Sequence, residues 1–404
     1  MRRIYLDNAA TSHPKPAEVI RAMVDFSERL GASPGRGAYA EARQAGQLMQ
    51  LCRERINTLI GGQGPCQVLF TLNATDALNI ALHGLARPGD HIITTWLDHN
   101  SVLRPFSELA RRGVEQTRVR CDPSTGLVDP ADIRRAIRNN TRLVAMLHGS
   151  NVTGTLQPLE EVSRVAQQRG VLFVVDAAQT LGHVPLDVQK LAIDVLAFPG
   201  HKGLLGPLGT GGLYLRPGLD RQVHPLRQGG TGSVSDQDVQ PEFLPDRYEA
   251  GSHNAIGILG LGAGVGWILE RSVDQLWRHE QELTRLMLQK LAAMDGSVTL
   301  YGPKDPLIRC GVFSVRVQGY EHPQDLSDVL ESRYGLLTRS GIHCAPLAHE
   351  TIGTRTLGGT TRLSLGAFSS REDIEVAAEA LAEIAREAGH RQRASAAADR
   401  SALG

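Results

Sequence analysis

The sequence is short of everything that would mark an unusual partner or compartment. Lysine plus arginine and aspartate plus glutamate both total 43. No charge of either sign is in excess, so nothing advertises a nucleic acid, an anionic membrane or an acidic protein, and a small molecule is the expected partner. Cysteine is scarce as well. Cys52, Cys66, Cys121, Cys310 and Cys344 are odd in number and scattered, with no Cys-x-x-Cys pair, which speaks against zinc, a redox pair or a disulfide framework and for a reducing interior. After Arg2 and Arg3, Asp7 and Asn8 interrupt the apolar run before a signal-peptide core forms, and no later run approaches membrane-spanning length. There is no internal repeat. A soluble, cytoplasmic protein is the expectation.

What is present is a chain of 404 residues, long enough for one large and one smaller domain. Short apolar runs alternate with amphipathic stretches: Val68-Leu69-Phe70, His91-Ile92-Ile93, Leu143 to Leu147, Val171 to Val175, Asp194 to Phe198 and Gly212 to Leu215. That alternation predicts an α/β fold, with a mainly parallel sheet covered by helices on both faces. Only a Gly-rich loop separates the last two runs, too little for a helical crossover, so one strand there should be antiparallel. Arg221 to Arg247 reads as a loop too long to be a mere connector. A helix should begin near Asn254, Val312 to Val317 alternates as a half-buried strand, and Glu372 to Ala388 reads as a final amphipathic helix. The expected division is a large domain over 15–260, a smaller α+β domain from 1–14 and 261–390, and a disordered tail over 391–404.

Chemistry concentrates where strands end. Val195 to Phe198 runs through Pro199-Gly200-His201 into Lys202, a candidate Schiff-base nucleophile. Val171 to Val175 ends on Asp176-Ala177-Ala178-Gln179, at the position where open α/β sheets bind ligands. A carboxylate for a pyridinium nitrogen together with an imine-forming lysine is the pairing that pyridoxal phosphate needs. Phe70 to Ala77 takes a strand through a small turn into a helix, a plausible phosphate cup at Ala74 and Thr75, although alone it is more simply a capped helix. His99 follows another strand, where a flat ring can lie over a flat cofactor, and Asn151 follows a third. Taken singly, each of these has a plainer structural explanation.

Asp-Ala-Ala-Gln followed by Gly-His-Lys at this spacing resembles the class V aminotransferase superfamily and, within it, the cysteine desulfurases, from about Ile4 to Ala385. The resemblance implies the type I fold of pyridoxal-phosphate transferases, similar to aspartate aminotransferase, with pyridoxal 5'-phosphate as cofactor and L-cysteine as substrate. By that resemblance Ala74 and Thr75 hold the phosphate, His99 stacks on the pyridine ring and moves protons, Asn151 and Gln179 lie near the phenolate, and His201 is a further donor beside Lys202. Pro199 departs from the pattern, standing where many members have a phosphate-binding serine. Arg247 to Asn254 resembles the motif that crosses to the neighbouring subunit's phosphate, with Ser252-His253 in place of Thr-Pro; it implies a homodimer whose sites Ser252 completes.

Arg339-Ser340-Gly341-Ile342-His343-Cys344-Ala345-Pro346 resembles the cysteine-bearing loop of the group II, SUF-type members. Flanking Gly and Pro predict exposure, and Arg339 and His343 are placed to favour a thiolate on Cys344. Thr360 to Leu365 resembles the strand whose arginine, here Arg362, binds the substrate carboxylate, with Asn151 nearby; a guanidinium fork suits that task. The implied reaction converts L-cysteine to L-alanine and leaves a persulfide on Cys344 for an acceptor protein. Selenocysteine lyase, an aminotransferase or epimerase lacking any need for Cys344, and a non-catalytic sulfur carrier are the rival readings.

Overall fold

The computed structural model describes residues 2–402 except 35, 36 and 295, and leaves out the side chains of 392 and 394–402. A two-residue strand β1 (Ile4–Tyr5) precedes helices α1 (Ala17–Asp25) and α2 (Ala40–Leu59). The alternating stretch then runs β2 (Val68–Thr71), α3 (Ala74–Leu85), β3 (His91–Thr95), α4 (Asn100–Arg111), β4 (Glu115–Val119), α5 (Pro130–Ala136), β5 (Thr141–Leu147), α6 (Leu159–Gln168), β6 (Leu172–Asp176), β7 (Val195–Pro199) and β8 (Gly211–Leu215). The second half continues α7 (Ala255–Arg271), α8 (Val273–Ala292), β9 (Val298–Tyr301), β10 (Val312–Val317), α9 (Pro323–Tyr334), β11 (Leu336–Leu337), β12 (Arg339–Gly341), α10 (Pro346–Thr351), β13 (Thr360–Ser364) and α11 (Arg371–Ala402).

β2 to β8 form a seven-stranded sheet in the order β2-β8-β7-β6-β5-β3-β4. β8 is antiparallel to both of its neighbours, as the short Gly-rich loop before it requires, and the other pairs are parallel. Every strand except β8 therefore points its C-terminal end towards the same edge. Side-chain alternation sorts each strand between two apolar layers. Phe70, Ile93, Val144, Val175 and Phe198 pack on one face, Leu69, Ile92, Ala145, Val174 and Ala197 on the other. Both faces are covered, which is why these strands read as continuous apolar runs instead of alternating ones.

The C-terminal unit has a four-stranded antiparallel sheet, β12-β13-β10-β9. Leu283 and Met287 of α8, Phe313 and Val315 of β10 and Ile374 and Leu381 of α11 share its core with Ile4 and Leu6 at the start of the chain. The expected boundary at 260/261 cuts through α7. That helix packs its Leu261, Val265 and Ile268 with Cys52 and Ile56 of α2, and the chain turns only at Ser272, where φ is +69° and α8 leaves at 80° to α7. At the other end, where a disordered tail is expected, α11 runs on to Ala402, and 403 and 404 lie outside the described residues. Alanine is the best helix former and no Gly or Pro lies between Arg391 and Ala402, so the helix needs no apolar face of its own to persist there. Among the described residues no single helix is long and apolar enough to cross a membrane.

Candidate active site

The strand ends meet at one cavity. β2 feeds the turn to Ala74 and Thr75, β3 leads to His99, β5 to Asn151, β6 ends on Asp176 with Gln179 beyond it, and β7 leads through Pro199 to His201 and Lys202; all of them line this cavity. The turn that carries Lys202 depends on Gly200, where a Cβ would stand 2.1 Å from the Thr210 hydroxyl. Its backbone is closed by Gly200 N–H to the Thr210 carbonyl at 2.7 Å and Gly206 N–H to the Gly200 carbonyl at 2.8 Å.

Charge is arranged unevenly around the cavity. Asp176 is 5% exposed and accepts from the Ala178 N–H at 2.9 Å. Burial pushes its carboxyl pKa up, opposed by that hydrogen bond and by Lys202. Lys202 is half-buried, and desolvation lowers its amine to about 8; Asp176 and Asp7 resist the fall while Arg362 and Arg339 add to it. His99 drops to about 4, through burial first and then the positive charges of Lys202, Arg104, Arg362 and Arg339. It is therefore a neutral imidazole at neutral pH. As the N-cap of α4 its Nδ1 accepts from the Ser101 N–H at 3.1 Å and lies 2.8 Å from Ser101 Oγ. An acceptor at Nδ1 puts the proton on Nε2 and makes Ser101 Oγ the donor, an assignment that rests on the hydrogen-bond pattern. Thr75 Oγ1, 2.7 Å from Ser101 Oγ, then donates to Ser101. Asn73 caps α3, its Oδ1 accepting from the Asp76 N–H at 2.9 Å, and the amides of Ala74 and Thr75 at the start of that helix stand beside the cavity as further anion donors.

The C-terminal unit supplies the other side. Cys344 is exposed in the turn between β12 and α10, as its Gly and Pro neighbours predict. Two consecutive non-glycine residues there have left-handed backbones, His343 at φ +50° and Cys344 at φ +58°, a conformation that persists only when surroundings hold it. The large unit holds it: Asn151 Nδ2 donates to the His343 carbonyl at 2.7 Å and Asn100 N–H donates to the Cys344 carbonyl at 2.9 Å. His343 does not activate the thiol in the way its neighbourhood suggests. Its ring is 6% exposed, sits 3.2 Å from the Thr360 carbonyl, and burial with nearby Arg362 drives its pKa well below 6.5, so it carries no charge to offer a thiolate. Arg362 is buried on β13, opposite Arg339 on β12. It donates to the Asn151 carbonyl at 3.2 Å and to Asp7 at 2.7 Å.

Ser252 stands apart. It is exposed and lines a different cavity with Arg53 and Glu249, not the one around Lys202. Glu249, three residues before it, is clamped in a buried bidentate pair with Arg53 at 2.6 and 2.8 Å and accepts the Phe70 N–H at 2.7 Å. Removing either partner of such a pair typically costs about 3–5 kcal/mol. This clamp ties the Ser252 segment to β2.

Sequence reasoning missed the N-terminal segment. The His201 carbonyl accepts from Ser12 N–H, the Thr11 and Ser12 hydroxyls and Lys15 Nζ, at 2.9 to 3.2 Å, and Gln179 Nε2 donates to the Ala9 carbonyl at 3.1 Å. No local signal marks these contacts, because they join positions about 170 to 190 residues apart. Asp98, also missed as an anchor, is fully buried and takes donors from Thr94, Thr95 and Leu147, which fixes the strand end that presents His99.

Comparison with known proteins agrees with this arrangement. Residues 4–376 match the family described as aminotransferase class V. A probable cysteine desulfurase of Methanothermobacter thermautotrophicus is 36% identical over 385 residues, 95% of this chain and 94% of its own length. The cysteine desulfurase of Yersinia pseudotuberculosis is 34% identical, covering 92% of this chain and 91% of its own. Among solved structures, the apo cysteine desulfurase of Thermococcus onnurineus NA1 superposes with a TM-score of 0.88 at 33% identity, over 95% of both chains. With the strand-end cavity, the cysteine turn and these likenesses spanning nearly its whole length, the chain belongs to the class V aminotransferase family and, within it, to the cysteine desulfurases.

Proposed function

We propose that the cavity binds pyridoxal 5'-phosphate and L-cysteine, that sulfur passes to Cys344, and that L-alanine is released. The observation that carries this reading is the convergence of Asp176, Lys202 and His99 in one cavity, with the Cys344 turn fastened to the same strand ends through Asn100 and Asn151.

The residues present fit the cofactor. Among the described residues Asp176 is a buried carboxylate with one hydrogen-bond donor, the Ala178 amide, and it would hold the ring nitrogen's proton. Among the described residues His201 Nδ1 is buried without a partner and, with the amides of Ala74 and Thr75, would receive the phosphate. Neutral His99 would lie against the ring, and Asn151 and Gln179 would face its phenolate oxygen. When bound, pyridoxal 5'-phosphate supplies an electron sink for charge developing on the amino acid's α-carbon.

The chain's own groups do the rest. Arg362 orients the substrate carboxylate. Lys202 takes and returns the α-proton at Nζ; an amine lowered to about 8 leaves roughly a tenth of it neutral at pH 7, against a far smaller fraction for an ordinary lysine. The Cys344 thiolate attacks the substrate sulfur. A sulfur–sulfur bond forms, the bond from sulfur to Cβ breaks with its electron pair going to carbon, and that carbon takes up a proton to become the methyl group of alanine. The persulfide then stands at an exposed turn, where an acceptor protein or a small thiol reaches it. Ser252, exposed and lining a different cavity from the one around its own chain's Lys202, would complete the site of a second copy, so the working unit is a homodimer.

The test is alanine and sulfide release from L-cysteine, with and without a thiol reductant. Alanine should form in both, with sulfide appearing in quantity only with reductant. Pyruvate or an amino-group transfer product in place of alanine would overturn the reading. Sedimentation at micromolar concentration checks the dimer: a fully active monomer removes the role given to Ser252.

A further inference from the structure

Arg362 already has a carboxylate. Its Nη2 donates to Asp7 Oδ1 at 2.7 Å and its Nη1 to the Asn151 carbonyl at 3.2 Å, while Nε is buried with no acceptor among the described residues. Asp7 therefore engages the guanidinium through one nitrogen, and the two-pronged contact that suits a carboxylate is left incomplete.

Asp7 is loosely held for a carboxylate at such a position. Arg362 is the only side-chain donor on its oxygens among the described residues, and its side chain keeps 20% exposure. Asp98 makes the contrast: fully buried, it takes Thr94 and Thr95 hydroxyls and the Thr95 and Leu147 amides. The backbone beside Asp7 is nevertheless fixed, since Leu6 N–H donates to the Leu337 carbonyl at 2.9 Å and Ser364 N–H to the Leu6 carbonyl at 2.7 Å. Only the side chain is free to turn, and turning towards solvent breaks a single contact.

We propose that Asp7 is an internal carboxylate that occupies Arg362 when no substrate is bound, keeps that buried cation compensated, and yields when the amino-acid carboxylate engages the guanidinium through two nitrogens. This rests on the assignment of Arg362 as the ligand of the substrate carboxylate. Its consequence is selectivity. An anion that makes one contact gains nothing over Asp7, whereas a carboxylate that uses the buried Nε–H as well as an Nη–H outcompetes it, and leaving that donor unpaired is what costs free energy in the resting state.

The experiment is calorimetric titration of the cofactor-loaded protein with L-alanine, which carries the carboxylate but no sulfur. Asp7→Asn removes the competing charge and should tighten L-alanine binding about tenfold, equivalent to about 1.4 kcal/mol, with the KM for L-cysteine falling in the same direction. Weaker or unchanged binding overturns the proposal, since a residue that merely props Arg362 would loosen the site when altered. Asp7→Ser, which removes the carboxylate and leaves a small hydroxyl, should shift binding the same way and serves where Asp7→Asn fails to fold. Arg362→Ala separates the two levels: if it leaves L-alanine binding intact, the assignment of Arg362 fails; if it abolishes binding while Asp7→Asn does not tighten it, only the role of Asp7 fails.

Discussion

The two sides of the cavity are built on different principles. On the large-unit side, Thr75, His99, Asn151, Asp176 and Lys202 follow strands of one sheet, and their placement follows from topology: each strand is buried on both faces and fixed in register by its neighbours. On the small-unit side, Cys344 sits in a turn with two consecutive left-handed residues, joined to the sheet edge by Asn100 N–H and the Asn151 amide. The first side is rigid because a whole core would have to move to disturb it. The second is set by a few long-range hydrogen bonds and can be adjusted without unfolding anything. On the function proposed above, cofactor chemistry would use the former and sulfur delivery to an acceptor the latter.

The comparison breaks hardest at Lys202. Lys202→Ala should lower alanine formation by more than about a thousandfold, the scale lost when a group acting at the reacting atoms is removed. Borohydride should then fix no cofactor to the protein, and a persisting adduct on another lysine would show that the sheet-edge assignment is wrong. Cys344→Ser should come next, with desulfuration falling by about a hundredfold or more while the cofactor's absorbance and L-alanine binding stay as in the parent. That pattern would separate the two sides experimentally. Parent-rate alanine release from L-cysteine would instead merge them, and would move the chain towards lyase or aminotransferase chemistry.

Acid should weaken both sides alike. His148, at the end of β5, and His349, on α10 beside the cysteine turn, are buried, and desolvation lowers each to about 4 from 6.5. Unfolding exposes imidazoles that bind protons at the ordinary value, so the unfolded chain takes up more protons between these pH values. The stability each neutral imidazole contributes is present above about 6.5 and is lost as pH falls towards 4, up to about 3 kcal/mol apiece. Thermal unfolding followed from pH 7 to pH 4.5 should show a falling midpoint, and His148→Gln and His349→Gln should each flatten that slope. A slope unchanged in both variants would mean that other groups carry the acid sensitivity.

Legibility followed the same divide. The apolar runs gave the strands, the short Gly-rich loop gave the one reversed strand, and strand ends gave Asp176 and Lys202 as candidates before any comparison. Edge strand β4 was not legible, because Glu115-Gln116-Thr117-Arg118-Val119 lies at the sheet margin and carries polar residues that a covered strand would exclude. Asp7, Ser12, Lys15 and Glu249 were not legible as parts of the site, since each acts on residues far away in the chain. His343 misled for a related reason: adjacency to Cys344 suggested a charged neighbour, but its burial, invisible in sequence, leaves it neutral. The boundary expected after residue 260 falls inside α7, because an apolar helix looks the same in sequence whichever unit it packs against.

The finest probe of the contrast is Asn100→Pro. Asn100 is the first residue of α4, after the N-cap His99, whose backbone is extended at φ −70° and ψ 157°. Proline is favoured at that first helical position, where no intrahelical bond uses the amide hydrogen, and it accepts an extended residue before it. Here that hydrogen is used outside the helix, on the Cys344 carbonyl at 2.9 Å. The substitution therefore deletes one donor between the two sides and little else. Loss of a single hydrogen bond of this kind is worth about 1 kcal/mol, so sulfur transfer should slow by about five- to tenfold as the Cys344 turn loosens. L-alanine affinity and the cofactor spectrum, which depend on the sheet edge, should change by less than about twofold on the same accounting. Equal losses in binding and transfer would mean that the cysteine turn and the cofactor cavity behave as one rigid body, and that the distinction between a fixed and an adjustable side does not exist in solution.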